Sequence, residues 1–325
     1  MLAKKNIGII GAGYWGLNLV RNFNKIGALK IVADIDIKRK TKVSEISNAL
    51  IFTTNYKSIF KDNSIKAVVI STPAKTHYNL VSEALKANKH VFVEKPLCLD
   101  FKDGKKILKL SKKMKKKVMV GHLMLYHDAF IKMKEKIEQG LIGNIRYIYS
   151  NRLSLGKLRV EEDVLWSFAP HDISMIVNLV KEKLVSIEAF GGSYVKKNIK
   201  DTSVTLLKFK NNIKAHIFVS WLHPYKDQRM VVIGDRGMIV FADVLENEKK
   251  LMFYNHNIRW KGELPLITKA KGKKISFNFN KEPLYNECKS FIKWITINKK
   301  PPSDIEEGIK VLKILDIAKD KLRLW

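Results

Sequence analysis

An apolar run near the start of the chain, NIGIIG, leads directly into GAGYWG, where Gly11, Gly13 and Gly16 take the spacing G-x-G-x-x-G. No other feature constrains the fold as strongly, because each glycine has a mechanical task between a strand and a helix. The first makes a tight turn, the second lets the backbone approach a diphosphate, and the third lets helix pack on strand. A helical pattern, LNLVRNFNKI, follows, and then a second apolar run, ALKIVADI, that ends in Asp34. Strand, glycine turn, helix and acid-ended strand form a βαβ unit that holds a dinucleotide, with its phosphates on the helix N-terminus. Tyr14 and Trp15, inside the turn, belong to the expected cofactor contacts. Asp34 and Asp36 both suit the adenosine ribose, and Asp34, nearer the apolar run, is preferred. A carboxylate there repels a 2'-phosphate, so NAD is expected over NADP; Lys38 and Arg39 just behind are the residues that would reverse this.

The alternation continues through IKAVVIST, HVFVEK and KVMVGH, runs too continuously apolar for a one-sided sheet, with helical patterns such as YNLVSEALKAN between them. Residues 1–122 therefore predict an α/β dinucleotide-binding domain, a doubly wound parallel sheet of the Rossmann type. After a helix around 127–139 the pattern changes. NIRYIYSNRLSL, LVSIEAFGGSYV, TSVTLLKFK, IKAHIFVSWL, RMVVIGDRGMIVFADV and KKLMFYN follow one another as strands with few helices between. This predicts a second, α+β domain over 123–325 with a large, mostly antiparallel sheet. It closes with helices near 284–297 and 304–322, the latter opened by a capping box at Ser303-Asp304-Ile305-Glu306. Two domains also suit 325 residues, more than one core usually organises.

The formal charge of +30 raises nucleic-acid and membrane readings. Lysine is scattered through nearly every predicted helix, however, and neither KKMKKK nor KAKGKK carries aromatic residues or a recognition helix. The sequence reads as a lysine-biased surface that favours an anionic small substrate, with no nucleic-acid partner. No run approaches the 18 apolar residues of a bilayer span, and the N-terminus lacks the form of a signal peptide. Cys98 and Cys288, far apart, indicate neither a disulfide framework nor a metal site, so a reducing cytoplasm is the expected location.

The ligand crevice of a doubly wound sheet lies at the carboxyl ends of its strands. There stand STPAKTHY and EKP, which place Ser71, Thr72, Pro73, His77 and Glu94 among the expected cofactor contacts. Pro96 keeps Lys95 extended at the strand tip, where its ammonium can stabilise alkoxide-like charge during hydride transfer. In VLWSFAPHDISMI, Pro170 suits the first position of a helix, which puts His171 in the first turn, where the helix dipole keeps imidazole neutral and basic. Asp172 is suited to bonding helix N–H groups or orienting a neighbour.

Taken together, GAGYWG, STPAKTHY, VEKPL, NRLSLG, LWSFAPHDIS, SWLHPYK and GDRGMIVFAD resemble the glucose-fructose oxidoreductase, inositol dehydrogenase and MocA (Gfo/Idh/MocA) family of NAD(P)-dependent sugar dehydrogenases, across essentially the whole chain. The resemblance implies a substrate pocket and often a subunit interface on the second domain, assembly as a homodimer or homotetramer, and catalysis by Lys95 and His171. Many members carry aspartate four residues before that histidine; here Ser167 stands, which hydrogen-bonds but carries no charge. Substrate contacts are expected from Lys95, Tyr126, Arg152, Ser167, His171, Asp172 and Lys226, with Arg152 and Lys226 facing an anionic group. His122 and Tyr126 are expected where the domains meet, while His127, His216 and His256 read as structural. NRLSLG, LWSFAPHDIS and SWLHPYK are most similar to members that oxidise the 3-hydroxyl of UDP-linked N-acetylhexosamines or their uronic acids, whose keto products feed aminotransferases in surface-polysaccharide synthesis. A free-sugar or inositol dehydrogenase is the second reading, and a non-catalytic NAD-binding sensor the third.

Overall fold

A computed structural model describes residues 5–156, 158 and 162–323. Two compact units divide the chain, Met1–Tyr126 with Glu282–Lys313, and His127–Lys281 with Ile314–Trp325. The sequence reading gave all of 123–325 to one domain; the structure instead returns 282–313 to the first unit.

In that unit, among the described residues, six parallel strands form one sheet: β1 (Ile7–Ile10), β2 (Leu29–Ala33), β3 (Ile51–Thr53), β4 (Ala67–Ile70), β5 (His90–Glu94) and β6 (Val118–Gly121). Every residue of β1 and β4 is buried, as expected of strands covered by helices on both faces. The helices are α1 (Tyr14–Lys25), α2 (Arg39–Ile46), α3 (Lys57–Lys61), α4 (His77–Lys86) and α5 (Phe101–Met114). α1 buries Gly16, Leu19, Val20 and Phe23, the i, i+3, i+4, i+7 stripe of an amphipathic helix. Strand order β3-β2-β1-β4-β5-β6 reverses direction between β1 and β4, which opens the ligand crevice there. The short β3 is absent from the apolar runs of the sequence because its Ile51 is half exposed and its three residues have no period to read.

The second unit opens with α6 (Asp128–Glu138) and holds β7 (Ile145–Leu153), α7 (Val164–Leu179), β8 (Leu184–Gly192), β9 (Thr202–Phe209), β10 (Lys214–Ser220), β11 (Asp227–Gly234), β12 (Met238–Ala242), β13 (Leu251–Tyr254), β14 (Asn257–Lys261), β15 (Leu264–Thr268) and β16 (Lys273–Lys274). Among the described residues one mixed sheet runs β16-β13-β12-β11-β7-β10-β9-β8, extended by β17 (Leu322–Arg323), and β14 pairs with β15 alone. Only the β7–β10 and β8–β17 pairings in it are parallel. Alternate residues of β10 (Ala215, Ile217, Val219) and of β9 (Ser203, Thr205, Leu207) are buried on the side that α7 covers.

The returning segment brings α8 (Pro283–Ile297) and the start of α9 (Ile305–Lys321) onto the first unit. Phe23, Phe92 and Phe291 pack edge to face with centroids 6.1, 6.4 and 5.8 Å apart, joining α1, β5 and α8. Gly308 lies so close to β6 that a Cβ would sit 2.6 Å from Val120 Cγ2. The start of α9 differs by one residue from the capping box read in the sequence. Asp304 Oδ1 accepts the Glu307 N–H at 3.0 Å, while Ser303 Oγ pairs with the Tyr126 hydroxyl at 2.8 Å.

Candidate active site

The crevice at the β1–β4 switch is built by the glycine turn. Gly11 has φ +98°, and a Cβ there would lie 2.4 Å from the Ser71 carbonyl oxygen. A Cβ on Gly16 would meet the Gly11 oxygen at 2.2 Å, so loop and helix touch backbone to backbone. Gly13 is different: nothing lies within 4 Å of its would-be Cβ, and it is the N-cap of α1, whose first turn carries no acidic residue. That open, electropositive helix end is the cradle a diphosphate requires. A cavity of about 740 Å³ extends from it, lined by Gly11, Gly13, Asp34, Asp36, Ser71, Thr72 and Pro73. Asp34 accepts the Ala12 N–H at 2.6 Å on one oxygen and the Asp36 N–H at 2.9 Å on the other, which fixes its carboxylate at the cavity wall. Asp36 accepts the Lys38 N–H at 3.0 Å and faces Arg39 at 3.5 Å, so the nearest guanidinium is already engaged by a carboxylate.

Other expected contacts lie outside that cavity lining. His77 is buried, with Nδ1 2.7 Å from the Pro96 oxygen and Nε2 2.9 Å from the Thr72 oxygen, so it braces two loops from within. The Trp15 indole N–H donates to Glu94 Oε1 at 2.6 Å, and the Lys95 N–H to Glu94 Oε2 at 3.3 Å; Tyr14 is exposed. Lys95 follows β5 directly, and its bond to Pro96 is cis. Tyr126 is buried against Ser303, and His122 Nδ1 lies 2.6 Å from Glu307 Oε2. Both are buried residues of the first unit.

In the second unit α7 begins earlier than the sequence suggests. Asp163 is its N-cap, accepting the Trp166 N–H at 3.1 Å, and Pro170 lies inside the helix. His171 is thus mid-helix, and the first-turn dipole argument for its neutrality does not hold. Pro170 has no N–H for the Trp166 carbonyl four residues back, a cost borne by a helix buried on most sides. Asp172 holds Arg152, with Nε–Oδ2 2.7 Å and Nη2–Oδ1 3.3 Å, and accepts the Ser150 hydroxyl at 2.6 Å. Arg152 and Asp172 are both buried and bound to each other. Ser167 is buried at 3% exposure, His171 is half-buried, and Lys226 is exposed in the turn between β10 and β11.

A family model described as oxidoreductase family, NAD-binding Rossmann fold (GFO_IDH_MocA), matches residues 5–122, and the GFO/IDH/MocA C-terminal domain matches 130–240. The chain belongs to the Gfo/Idh/MocA family. It is similar to the myo-inositol 2-dehydrogenase of Thermotoga maritima, 28% identical over 97% of this chain and 96% of that protein. Among solved structures it resembles the UDP-N-acetylglucosamine 3-dehydrogenase GnnA of Acidithiobacillus ferrooxidans, with TM-score 0.83, 20% identity and 97% of each chain covered. It also resembles scyllo-inositol dehydrogenase of Lactobacillus casei, with TM-score 0.77 and 19% identity over 97% of this chain and 96% of that one.

As a Gfo/Idh/MocA member the chain is an NAD-binding oxidoreductase, a dehydrogenase enzyme. Gly13 and the Asp34 wall fit the dinucleotide. Sequence reading missed the far end of the cavity, where Thr54, Tyr56, Asn79 and Glu83 line it. Tyr56 and Glu83 hold each other at 3.5 Å, and burial with the neighbouring carboxylate raises the Tyr56 pKa. Their signal was faint, because Thr54 and Tyr56 follow the unread strand β3. Among the described residues no group of His, Cys, Asp or Glu side chains is arranged to hold a metal ion, and no helix is long and apolar enough to cross a membrane.

Proposed function

We propose that this dehydrogenase oxidises the 3-hydroxyl of a UDP-linked N-acetylhexosamine, or of its uronic acid, as a step toward surface-polysaccharide precursors. The observation that carries the reading is the α7 segment itself. His171 sits half-buried on a helix whose next residue, Asp172, is locked to Arg152 and Ser150, so the imidazole is carried on a rigid support. The imidazole of His171 takes the hydroxyl proton. Lys95, at the tip of β5, stabilises the oxygen as that proton leaves. Bound NAD supplies the hydride acceptor, so the substrate loses one hydride from carbon and one proton from oxygen and becomes a ketone. The motifs NRLSLG, LWSFAPHDIS and SWLHPYK support the nucleotide sugar, as does the exposed Lys226.

A second reading, oxidation of inositol or a free sugar, is favoured by the near full-length similarity to a myo-inositol 2-dehydrogenase. NADH formation from UDP-N-acetylglucosamine, its uronic acid and myo-inositol separates the two. UDP alone inhibits under the first reading and is inert under the second.

A further inference from the structure

The cavity continues past Asp34 to an end where polar side chains have no task in the reaction above. A dinucleotide with its diphosphate on Gly13 and its ribose on Asp34 must place its base farther out, on the side of the sheet where β2 and β3 lie. Thr54 and Tyr56, which follow β3, line the cavity there together with Asn79, Leu80 and Glu83 of α4. The Tyr56 hydroxyl donates to Glu83 Oε2 at 3.5 Å, a long bond that spans this end from the β3 loop to α4. Pro73 and Leu80 supply apolar surface of the kind that packs on a flat ring.

Asn79 and Glu83 stand four residues apart on α4 and so share one face of the helix. A carboxylate only accepts hydrogen bonds, and one long bond from a phenol leaves most of that capacity for a ligand. With its hydrogen turned to Glu83, the phenol oxygen offers lone pairs as well. An amide such as Asn79 both donates and accepts. Acceptors for an amino group, beside a donor for a ring nitrogen, match the edge of adenine, whereas a 6-oxo purine sets a second acceptor against the carboxylate. We propose that Glu83 selects the base of the dinucleotide, accepting the adenine 6-amino group and rejecting a 6-oxo purine, with Asn79 on the neighbouring ring nitrogen. The proposal rests on the ribose lying at Asp34. It concerns the base alone, and is independent of the sugar substrate and of the choice between NAD and NADP, which turns on the 2' position.

The test titrates the full chain, without substrate, with NADH and with its hypoxanthine analogue, in which oxygen replaces the 6-amino group, and follows energy transfer from tryptophan. The unmodified protein is expected to bind the analogue about tenfold more weakly than NADH. Glu83→Gln, whose amide can donate as well as accept, is expected to bring that ratio to within about twofold, chiefly by improving the analogue. Asp34→Ala should weaken both cofactors and leave the ratio in place, which separates the base contact from the ribose contact. Equal affinities in the unmodified protein would overturn the proposal, because a donor of the lining such as Lys75 would then meet the oxo group. A ratio unchanged in Glu83→Gln, an equal weakening of both cofactors in that variant, or a ratio lost in Asp34→Ala would also overturn it. The comparison in the unmodified protein needs no substitution, so it decides the matter even where a variant fails to fold.

Discussion

Arg152 and Asp172 form a buried bidentate ion pair, 2.7 and 3.3 Å between guanidinium nitrogens and carboxylate oxygens, that fastens α7 to β7 directly beside His171. Removing one partner leaves the other charged in a buried site. Asp172→Ala is therefore expected to cost about 3–5 kcal/mol in urea unfolding, while Arg152→Met with Asp172→Leu should recover much of that loss. If the single variant unfolds like the unmodified protein, the pair does not anchor the helix.

The glycine turn predicts opposite behaviour at neighbouring positions. Gly11→Ala forces a side chain into φ +98° and against the Ser71 carbonyl, so it should lower stability by at least about 1–3 kcal/mol. Gly13→Val meets open space and should melt almost normally, yet bind NADH at least about tenfold more weakly because the valine fills the diphosphate cradle. Thermal melts and fluorescence titration of both variants check the contrast.

Much of this was legible in the sequence, and the exceptions share a cause. The glycine spacing and buried strands are local signals, so the Rossmann sheet and the Gly11–Gly13 turn could be read directly. Pro170 was misplaced because proline most often occupies a helix's first turn, whereas here Asp163 starts the helix and tertiary burial carries the broken bond. The hydroxyl of Tyr126 finds its partner far along the chain, Ser303 standing 177 positions away, and no local signal announces that pairing. The return of 282–313 to the first unit likewise depends on the Phe23–Phe92–Phe291 cluster, which no periodicity announces.

Cofactor choice follows from Asp34 and Asp36 on the cavity wall. NADH is expected to bind at least about tenfold tighter than NADPH, and Asp34→Ala should narrow the gap by removing the charge that repels a 2'-phosphate. Equal affinities in the unmodified protein would move the ribose contact to Lys38 and Arg39.

His90 gives a pH signature. Burial first, then the charges of Lys116 and Lys117, lower its pKa from 6.5 to about 4, and its Nδ1 accepts the Lys117 N–H at 3.0 Å. The unfolded chain therefore binds more protons between those values, so this contribution to stability is complete above about pH 6.5 and declines as pH falls toward 4. His90→Gln should flatten the melting temperature across that window relative to the unmodified protein. An unchanged slope would show that His90 titrates normally in the fold.

In the proposed reaction His171 takes the proton while a sugar hydroxyl is oxidised by NAD. NADH formation with UDP-N-acetylglucosamine and its uronic acid, measured alongside direct detection of the 3-keto product for the unmodified protein and for His171→Asn, tests it most directly. Turnover is expected in the first and a loss of roughly two orders of magnitude or more in the second, with NADH affinity nearly unchanged. Near-normal turnover by His171→Asn, or steady oxidation of myo-inositol with none of either nucleotide sugar, would contradict it.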